Sequence, residues 1–564
     1  MILQALKEYY DRKVTDPDSG IPMLGFEWKE IPFIIVLNHK GEYINLDKMR
    51  EYEGKKKTTR KFLVPQNAGR TSGISAGFLW DKAGYVLGLG ARGKSQKEAF
   101  IKRIHEEIPQ SIKKEALLKF LETDVQAIIE KESVEEQDIL TFRFENENEL
   151  YCESDEIRNI VKSKISEENV DGLCLITGTP DKIILTHTDI VGVAGTNKNH
   201  GNIVSFNADP YCSYGNRGKQ GKNAPIGKHA VFAYTTALNT LLGKNSKQRI
   251  QIGDATTIFW SAKNTRFEDD FSDFFAEPPK DNPNSNTKAI QTLFESPKTG
   301  AYNETNDNTN FYILGLSPNV SRISIRFWKS GTIAEFATNI RQHFIDLEIT
   351  KSQGEQPYYS LWRLLVNAAI QDKSENIPPS IAGDFMRSII NGTPYPATIL
   401  QLVLRRIKSD GGNVKPVRAA VVKAYLNRYF RSNKNEKELS MALDKEQPSQ
   451  GYQLGRLFAV LEKIQEEANK GTTIRERYYG SACGSPVTVF PTLMKLKNHH
   501  LAKLEKGRVI YFEKLIGEIT GHFNDFPANM SLHEQGRFAI GYYHQRQDFF
   551  TKQPTEEANN DQVK

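Results

Sequence analysis

The two halves of this sequence differ in the secondary structure that they can form. Short β-type runs such as Phe33–Leu37 and Phe311–Leu316 recur in the first half, with helical spacing between them. Beyond Tyr358 apolar residues recur only at three- and four-residue spacing. This switch predicts an α+β N-terminal lobe, residues 1–357, followed by an all-α helical-bundle C-terminal lobe.

The two periodicities also place the individual elements. We expect strands at Phe33–Leu37, Gly84–Gly88, Gly172–Ile176, Lys182–Leu185, Ile203–Phe206, Thr257–Trp260, Phe311–Leu316 and Ile323–Phe327. We expect helices in the first lobe at Lys94–Ile108, Lys113–Glu122, Lys228–Leu242 and Thr332–Ile345. In the second lobe we expect helices at Leu361–Asn376, Ser380–Asn391, Pro396–Arg406, Pro416–Arg431, Tyr452–Asn469, Pro491–Gly507 and Arg508–His522.

Composition divides the lobes further. Residues 267–310 are largely polar and contain the proline-rich run Pro278–Pro283, which predicts a solvated insertion or linker. The second lobe separates into a basic helical region, residues 358–440, and a C-terminal helical bundle, residues 441–564. A chain of 564 residues has room for three or four compact units.

Several protein classes are disfavoured at this point. No stretch approaches the run of about 20 apolar residues that a membrane helix needs, and residues 1–10 lack the pattern of a signal peptide. The four cysteines are scattered, so we expect free thiols in the cytoplasm rather than a disulfide framework or a zinc site. A net charge of +6 is too small to identify a polyanion partner by itself.

One motif favours a nucleotide-dependent enzyme. Residues Gly88–Ser95 satisfy both G-x-x-x-x-G-K-S and G-x-G-x-x-G, so Lys94 and Ser95 could hold phosphate and magnesium. However, we find no apolar strand that ends in a magnesium-holding carboxylate, and no acidic residue in the place that a dinucleotide site requires. The alternative is a glycine-rich turn that at most touches nucleic-acid phosphate.

Other catalytic patterns are weaker. Gly73–Gly77 matches G-x-S-x-G, but a polar, basic loop precedes Ser75 where a nucleophile elbow needs an apolar strand. Among the histidines, only His187 has a nearby carboxylate, Asp189. We therefore expect no catalytic residues, no metal and no cofactor.

The basic segment near residue 60 favours nucleic-acid binding over catalysis. Lys55, Lys56, Lys57, Arg60 and Lys61 place five cations in seven positions, which suits contact with a phosphate backbone. A solvated surface run is the alternative interpretation.

The loop that follows has the chemistry to read bases. Its candidate contact residues offer amides for base edges, a guanidinium and hydroxyls for phosphates, and a glycine for close approach. They are Gln66, Asn67, Gly69, Arg70, Thr71 and Ser72.

Two further regions are basic. The loop Tyr211–Lys228 carries four cations and no acidic residue, and Tyr211 and Tyr214 could stack on bases unless they belong to the core. Residues 391–440 carry ten Lys or Arg against three acidic residues, so their helices could present a basic face to a single strand.

The ordered motifs of the chain resemble the large subunit of the type I-C CRISPR Cascade complex over almost its whole length. The motifs are Arg70–Ile74, Tyr85–Gly88, Ser205–Asp209, Ser213–Gly215, Asn223–Pro225, Phe232–Asn239, Ile252–Asp254, Phe259 with Trp260, Leu314–Arg322, Pro394–Pro396, Leu454–Phe458 and Gly541–Gln545. Each is weak alone, but their order and spacing together are specific.

The resemblance implies a non-catalytic subunit of a crRNA-guided DNA surveillance complex in antiviral defence. Such a subunit recognises the protospacer-adjacent motif, helps to open the duplex, stabilises the displaced strand and docks a separate helicase-nuclease. The implied partners are crRNA, double-stranded target DNA, the displaced single strand, and the backbone and crRNA-processing subunits.

The same resemblance suggests residue roles. The flanking motif would contact Gln66, Asn67 and the segment Arg70–Ser72. Adjacent DNA backbone would contact Lys219, Lys222 and Asn223. The displaced strand would contact Arg405, Arg406, Arg418 and Arg428.

Families of this kind often make a small subunit from the same gene by internal translation, and Met441 is the candidate start. The resulting peptide would be the C-terminal bundle, residues 441–564. Lys437 and Glu438 can be encoded by a purine-rich ribosome-binding sequence. The alternative is an ordinary surface Lys-Glu pair beside a buried methionine.

Two alternatives to a subunit that recognises DNA stay open. One is the nucleotide-dependent enzyme built on Gly88–Ser95. The other is an assembly scaffold without DNA readout, in which Leu454–Leu461 and Tyr542 with Tyr543 only pack the bundle.

Overall fold

The structure of the chain is a computed structural model. It describes residues 1–16, 19–53, 56–67, 73–123, 132–167, 169–196, 200–206, 208–212, 220–253, 255–277, 285–299, 302, 308–319, 322–352, 354–433, 437–469, 471 and 474–550. The chain divides into two compact units, which we call the N-terminal unit (Met1–Ile190 with Asn202–Thr240) and the C-terminal unit (Val191–Gly201 with Leu241–Lys564).

The N-terminal unit mixes short strands with helices. Its strands are β1 (Phe26–Glu30), β2 (Phe33–Leu37), β3 (Tyr43–Lys48), β4 (Arg50–Glu53), β5 (Lys56–Thr59), β6 (Lys61–Pro65), β7 (Trp80–Lys82), β8 (Ile139–Phe144), β9 (Gly172–Leu173) and β10 (Pro180–Asp181). Its helices are α1 (Ile2–Val14), α2 (Ala83–Val86), α3 (Gly93–Glu107), α4 (Ile112–Glu122), α5 (Asp155–Ser166) and α6 (Lys228–Leu241).

A four-stranded sheet in the order β3-β2-β8-β7 forms the centre of this unit. Every side chain of β2 is buried, and β2 runs parallel to β8 with Ile35 opposite Phe142. A strand buried on both faces reads as a continuous apolar run, which is why Phe33–Leu37 was predictable. Phe100 of α3 and Leu117 of α4 belong to the same core.

The N-terminal unit also contains three smaller antiparallel ribbons. They are β1 with β6, β4 with β5, and β9 with β10. A further two-stranded sheet joins β11 (Ile190–Val191) and β12 (His200–Gly201). The ribbon β1–β6 directs Phe26, Phe62 and Val64 inward and leaves alternate residues toward solvent.

The C-terminal unit combines one sheet with many helices. Its strands are β13 (Arg249–Ile252), β14 (Ala255–Ser261), β15 (Asn310–Asn319) and β16 (Arg322–Thr332). Its helices are α7 (Arg266–Asp270), α8 (Ser285–Thr299), α9 (Ile333–Leu347), α10 (Leu361–Ala368), α11 (Pro379–Asn391), α12 (Ala397–Ser409), α13 (Pro416–Asn433), α14 (Gln450–Ala468), α15 (Ile474–Gly484), α16 (Phe490–Leu501), α17 (Lys506–Thr520) and α18 (Leu532–Asp548).

The sheet and the helices of this unit share one core. The strands pair antiparallel in the order β13-β14-β15-β16, and Phe259 of β14 lies in register with Ile313 of β15. Both side chains belong to the apolar cluster that continues through Phe336 of α9 to Phe385 and Leu454. The α+β region followed by helices is confirmed. The four-stranded sheet belongs to the same unit as these helices because it packs into their core.

The stretch 267–310 is the clearest departure from expectation. Phe267, Phe271 and Phe274 are buried, and so are Ile290 and Leu293 of α8. The prediction of a solvated insertion therefore does not fit the described part of this stretch. The reason is that its apolar residues are spaced on short helices and were outweighed in the sequence by many polar neighbours. The run Pro278–Pro283 lies outside the described residues.

Two helices of the terminal bundle approach each other very closely. A Cβ on Gly541 of α18 would overlap the carbonyl of Tyr452, and one on Gly455 of α14 would overlap the carbonyl of Phe538. Only glycine permits this backbone contact, since any side chain would force the two helices apart. The motifs Leu454–Phe458 and Gly541–Gln545 are thus explained by packing.

Other local expectations were corrected by the fold. Gly84–Gly88 is not a strand, because Ala83–Val86 forms a short helix. In Lys182–Leu185 only Ile183 makes a β-bridge, and Ile203–Phe206 forms no strand. The helices α15 and α18 were not predicted. In the described part of the chain no helix is both long and apolar enough to cross a bilayer.

Candidate nucleic-acid interface

The base-reading loop begins at the end of β6, where two hydrogen bonds fix the backbone. The N–H of Gln66 donates to the carbonyl of Gly25 (2.7 Å), and Nε1 of Trp80 donates to the carbonyl of Pro65 (2.7 Å). The Gln66 side chain is exposed. The Gln66 amide therefore lies at the surface, while the backbone at the end of β6 is held by hydrogen bonds.

Asn67 has a different environment from Gln66. Its side-chain oxygen accepts a hydrogen bond from the N–H of Phe78 (3.0 Å), which holds the two ends of the loop together. The half-buried Asn67 is therefore a clamp at the base of the loop in this structure. Gly69, Arg70, Thr71 and Ser72 lie outside the described residues.

The cations of the basic segment are divided between a hairpin and the start of β6. Lys56 and Lys57 pair through their backbones with Glu53 and Tyr52 of β4. Arg60 and Lys61 are exposed, and the Arg60 guanidinium lies 5.2 Å from the centre of the Phe62 ring. Lys55 and the side chains of Lys56 and Lys57 lie outside what the structure describes.

A cleft of about 500 Å³ lies beside Lys61. Trp28 and Lys29 of β1 also line it, and Trp28 keeps 44% of its surface exposed. Nε1 of Trp28 donates to the carbonyl of Gly20 (2.6 Å), so its ring is held in place. An exposed ring can stack on a base, and the cleft also presents the carboxylates of Glu30 and Asp138 beside Lys61. Sequence analysis missed Trp28 and Lys29, because only the pairing of β1 with β6 brings them next to Lys61.

The second basic loop is held against a neighbouring segment of the same unit. Lys222 lies 3.8 Å from the carboxylate of Asp171, and the side-chain amide of Asn223 donates to the carbonyl of Gln220 (2.7 Å). Lys222 is exposed, whereas Asn223 is half-buried. Tyr214, Arg217 and Lys219 lie outside the described residues.

The four arginines expected to guide the displaced strand have different surroundings. Arg405 is exposed on α12. Arg418 is fully buried and contacts Asp410 (2.5 Å) and Asp372 (2.8 Å). Arg406, which is mostly buried, joins the same two carboxylates at 2.9 Å and 3.6 Å. These ion pairs tie α12, α13 and the segment after α10 together.

Asp372 is held in its charged form by these cations. Burial opposes the charge, yet hydrogen bonds from Lys415 and Arg418 and their positive charges keep the pKa of this carboxyl below its usual value. A buried cation between two carboxylates is well satisfied within the fold. Arg418 therefore serves the fold in this structure.

Arg428 is equally enclosed. Its guanidinium donates to Asp346 (2.7 Å) and to the carbonyls of Ser388 and Thr393, and it lies 4.5 Å from the centre of the Tyr395 ring. Burial and then the nearby Arg428 charge hold the pKa of His343 well below its usual value. Of the four arginines, Arg405 is the one whose surroundings fit direct contact with DNA.

The phosphate-loop motif forms the predicted turn before α3. The loop has no spare room, because a Cβ on Gly93 would overlap the carbonyl of Gly88. The carboxylate of Glu136 lies against Gly90, which places negative charge where a phosphate would have to approach. Lys94 is exposed on the first turn of α3. This arrangement favours a structural turn over a nucleotide site.

The remaining chemical candidates are Ser75 and His187. Ser75 is exposed in an irregular segment, and His187 contacts the hydroxyl of Tyr234 (2.5 Å). Burial lowers the pKa of His187 to about 4. The described residues hold no group of three or more His, Cys, Asp or Glu side chains placed to bind a metal ion.

Met441 lies in the irregular segment that precedes α14. Its side chain is 53% exposed, and its carbonyl accepts a hydrogen bond from the N–H of Thr350 (2.9 Å). The methionine is thus not a buried core residue. The residues that follow it form the terminal bundle, and Leu454, Tyr542 and Tyr543 are buried there.

The family model described as CRISPR-associated protein (Cas_Csd1) matches residues 6–550. No curated protein matches the chain. Because the family model covers nearly the whole sequence, this chain belongs to the Cas_Csd1 family of CRISPR-associated proteins.

Proposed function

We propose that this chain is the large, non-catalytic subunit of a type I-C crRNA-guided complex that recognises the protospacer-adjacent motif of target DNA. Family membership supports a role in a CRISPR system. The reading of the flanking motif, the opening of the duplex and the docking of a helicase-nuclease are the specific parts of the proposal.

The observation that carries the proposal is the arrangement of β6. Arg60 and Lys61 are exposed at its start, and the Gln66 amide is exposed just after its end. Five residues of strand span about 17 Å, which is about half of a ~34 Å helical turn of B-DNA. One strand can therefore place cations on phosphates while an amide reaches a base edge. Phosphate contacts would supply affinity, and the amide would supply sequence choice.

The other roles follow from exposure and charge. Lys222 would hold adjacent DNA backbone, and Arg405 would contact the displaced strand, since both side chains are exposed. Residues 441–564 would also be made as a separate small subunit from Met441. The other proposed partners are crRNA and the backbone and crRNA-processing subunits.

The test is flank discrimination by the reconstituted guide complex without ATP. Two duplexes that differ only in the flanking trinucleotide are compared for the natural sequence and for Gln66→Ala. We expect the natural complex to prefer one flank and Gln66→Ala to reduce that preference by about 10-fold, because a lost base contact costs ~1–3 kcal/mol of discrimination.

Gln4→Ala is the matched control, because Gln4 is an exposed glutamine on α1. This variant should keep the full preference. Equal binding of both flanks by the natural complex would overturn the reader assignment and favour an assembly scaffold. If Gln66→Ala keeps the preference for one flanking trinucleotide, other residues of the loop recognise the flank.

A further inference from the structure

The C-terminal unit contains an apolar groove of about 700 Å³ that none of the roles proposed above uses. Strand β13 lines this groove along its whole length, and Leu361, Trp362 and Leu365 of α10 line it as well. Trp362 keeps 45% of its surface exposed, whereas the two leucines are buried. An exposed tryptophan beside buried leucines is typical of a surface that contacts a partner.

Strand β13 lies at the edge of its sheet, whose order is β13-β14-β15-β16. The N–H of Phe259 donates to the carbonyl of Gln248, which directly precedes β13 (3.1 Å). Hydrogen bonds of an antiparallel pair recur at every second residue, so the backbone groups of Arg249 and Gln251 point away from β14. No described strand pairs with that side of β13.

The groove follows this free edge. All the residues from Arg249 to Gly253 line it. Because successive side chains of a strand point to opposite faces, a groove that contacts all of them runs along the edge and not over one face. Sheet edges are commonly protected by proline, lysine or a bulge, and β13 has the sequence RIQI without any of these. Its outward N–H and C=O groups can therefore pair with one more strand.

The charges along the groove favour a partner that carries a carboxylate. Glu277 is already paired, because it accepts hydrogen bonds from Arg363 (2.5 Å) and Ser360. The Arg249 guanidinium donates to the carbonyl of Leu242 (3.0 Å), and within the described ranges no carboxylate forms an ion pair with it. A partner carboxylate would form a charge-assisted hydrogen bond with Arg249. One cation in an apolar groove is a poor match for the phosphate backbone of a nucleic acid.

We propose that this groove binds an extended segment of a partner protein, which adds to the sheet as a fifth strand beside β13. The segment carries large apolar side chains at alternate positions, which pack on Trp362 and Leu365, and a carboxylate where it passes Arg249. In such pairing the main-chain hydrogen bonds supply affinity and the contacts of alternate side chains supply specificity. This inference rests on the proposed function, because the partner is another protein subunit of the same guide complex.

The first experiment measures hydrogen exchange of the backbone amides in the natural chain. The free chain is compared with the complex assembled from purified crRNA, backbone and crRNA-processing subunits. We expect the amides of Arg249 and Gln251 to exchange at least about 10-fold more slowly in the complex, because their N–H groups gain acceptors. Equal rates in both states would overturn the proposal. Slowing in the free chain that increases with its concentration would also overturn it, since the occupant would then be a second copy.

Gln251→Pro tests the main-chain pairing directly. Proline removes the N–H that points away from β14, and edge strands tolerate proline at such positions. Gln251→Ala is the matched control, because it removes the same side chain and keeps the N–H. By biolayer interferometry, we expect Gln251→Pro to bind the partner assembly about 10-fold more weakly and Gln251→Ala to stay within about twofold of the natural chain. Equal affinities of the two variants would rule out strand addition.

Trp362→Ala tests the apolar contact and does not depend on the folding of Gln251→Pro. It should weaken binding to the partner assembly by at least about 10-fold, because a tryptophan enclosed at an interface carries much of the binding energy. Ile510→Ala changes an exposed aliphatic residue of α17 and should bind normally. Full affinity of Trp362→Ala would overturn the proposal. Failure of the natural complex to discriminate flanks would overturn the proposed function and not the groove, because subunit association does not require flank recognition.

Discussion

Two stretches of this chain carry dense positive charge, one at residues 55–61 and one at residues 405–437, and the fold uses them in different ways. In the first stretch Arg60 and Lys61 are exposed, and Lys61 lines an open cleft together with Glu30 and Asp138. In the second, Arg418 and Arg428 are buried against aspartates. The difference teaches that a basic run can form a nucleic-acid surface only where its cations stay exposed and are not enclosed against carboxylates.

The largest expected effect concerns the buried arginines. Arg428→Ala leaves the buried Asp346 with Arg431 as its remaining cation and removes the donor to the carbonyls of Ser388 and Thr393. Breaking a buried ion pair in this way costs up to ~3–5 kcal/mol of unfolding free energy. We expect the thermal midpoint of the C-terminal unit to fall by on the order of 5–10 °C in differential scanning calorimetry. Arg405→Ala is the matched control on an exposed site and should cost less than about 0.5 kcal/mol. Equal shifts for the two variants would break the comparison.

The second prediction uses one buried histidine in each unit. Burial lowers the pKa of His187 to about 4 and that of His544 to about 3. Each histidine is thus protonated more readily in the unfolded chain, whose pKa is near 6.5, so acidification favours unfolding. Both units should be most stable above pH 6.5 and should lose stability as the pH falls from 6.5 toward 4.

Thermal midpoints measured between pH 7 and pH 4.5 check this dependence. His187→Gln should flatten the pH profile of the N-terminal unit, and His544→Gln that of the C-terminal unit. A profile that neither substitution changes would show that other groups control acid stability.

The smallest expected effect is on the salt dependence of DNA affinity, which should differ between the two basic stretches. If Arg60 and Lys61 each contact a phosphate, Arg60→Gln/Lys61→Gln should reduce the slope of log K against log salt for duplex DNA by about 1.8. Arg405→Gln should reduce the slope for a single strand by only about 0.7. Fluorescence anisotropy at several salt concentrations measures both slopes. Unchanged slopes would mean that the first stretch is only a solvated surface.

Much of the fold could be predicted because its local patterns are strong. The buried strand Phe33–Leu37 was found to the residue, and helix α3 to within one residue at each end. The prediction that the region around helix α7 is solvated was wrong. The phenylalanines of 267–275 are mixed with acidic residues in the sequence, and this mixture hid their burial. The helices α15 and α18 were missed. In α18 the packing surface includes glycines, which apolar periodicity does not count.

The candidate site was less predictable than the fold. Gln66, Arg60 and Lys61 could be chosen by residue type alone, and the structure places all three at the surface. The clamp made by Asn67 depends on Phe78, and the contribution of Trp28 and Lys29 depends on the pairing of β1 with β6. These contacts join residues that are distant in sequence, so no local sequence pattern predicts them.

The sequence by itself determined the family, the order of strands and helices, and the position of the basic segments, because these depend on residue identity and on local periodicity. Only the tertiary structure decided which cations meet solvent and which meet aspartates. The physical reason is that the environment of a charge is set by residues that are distant in sequence. For Arg428 and Asp346 that separation is 82 residues.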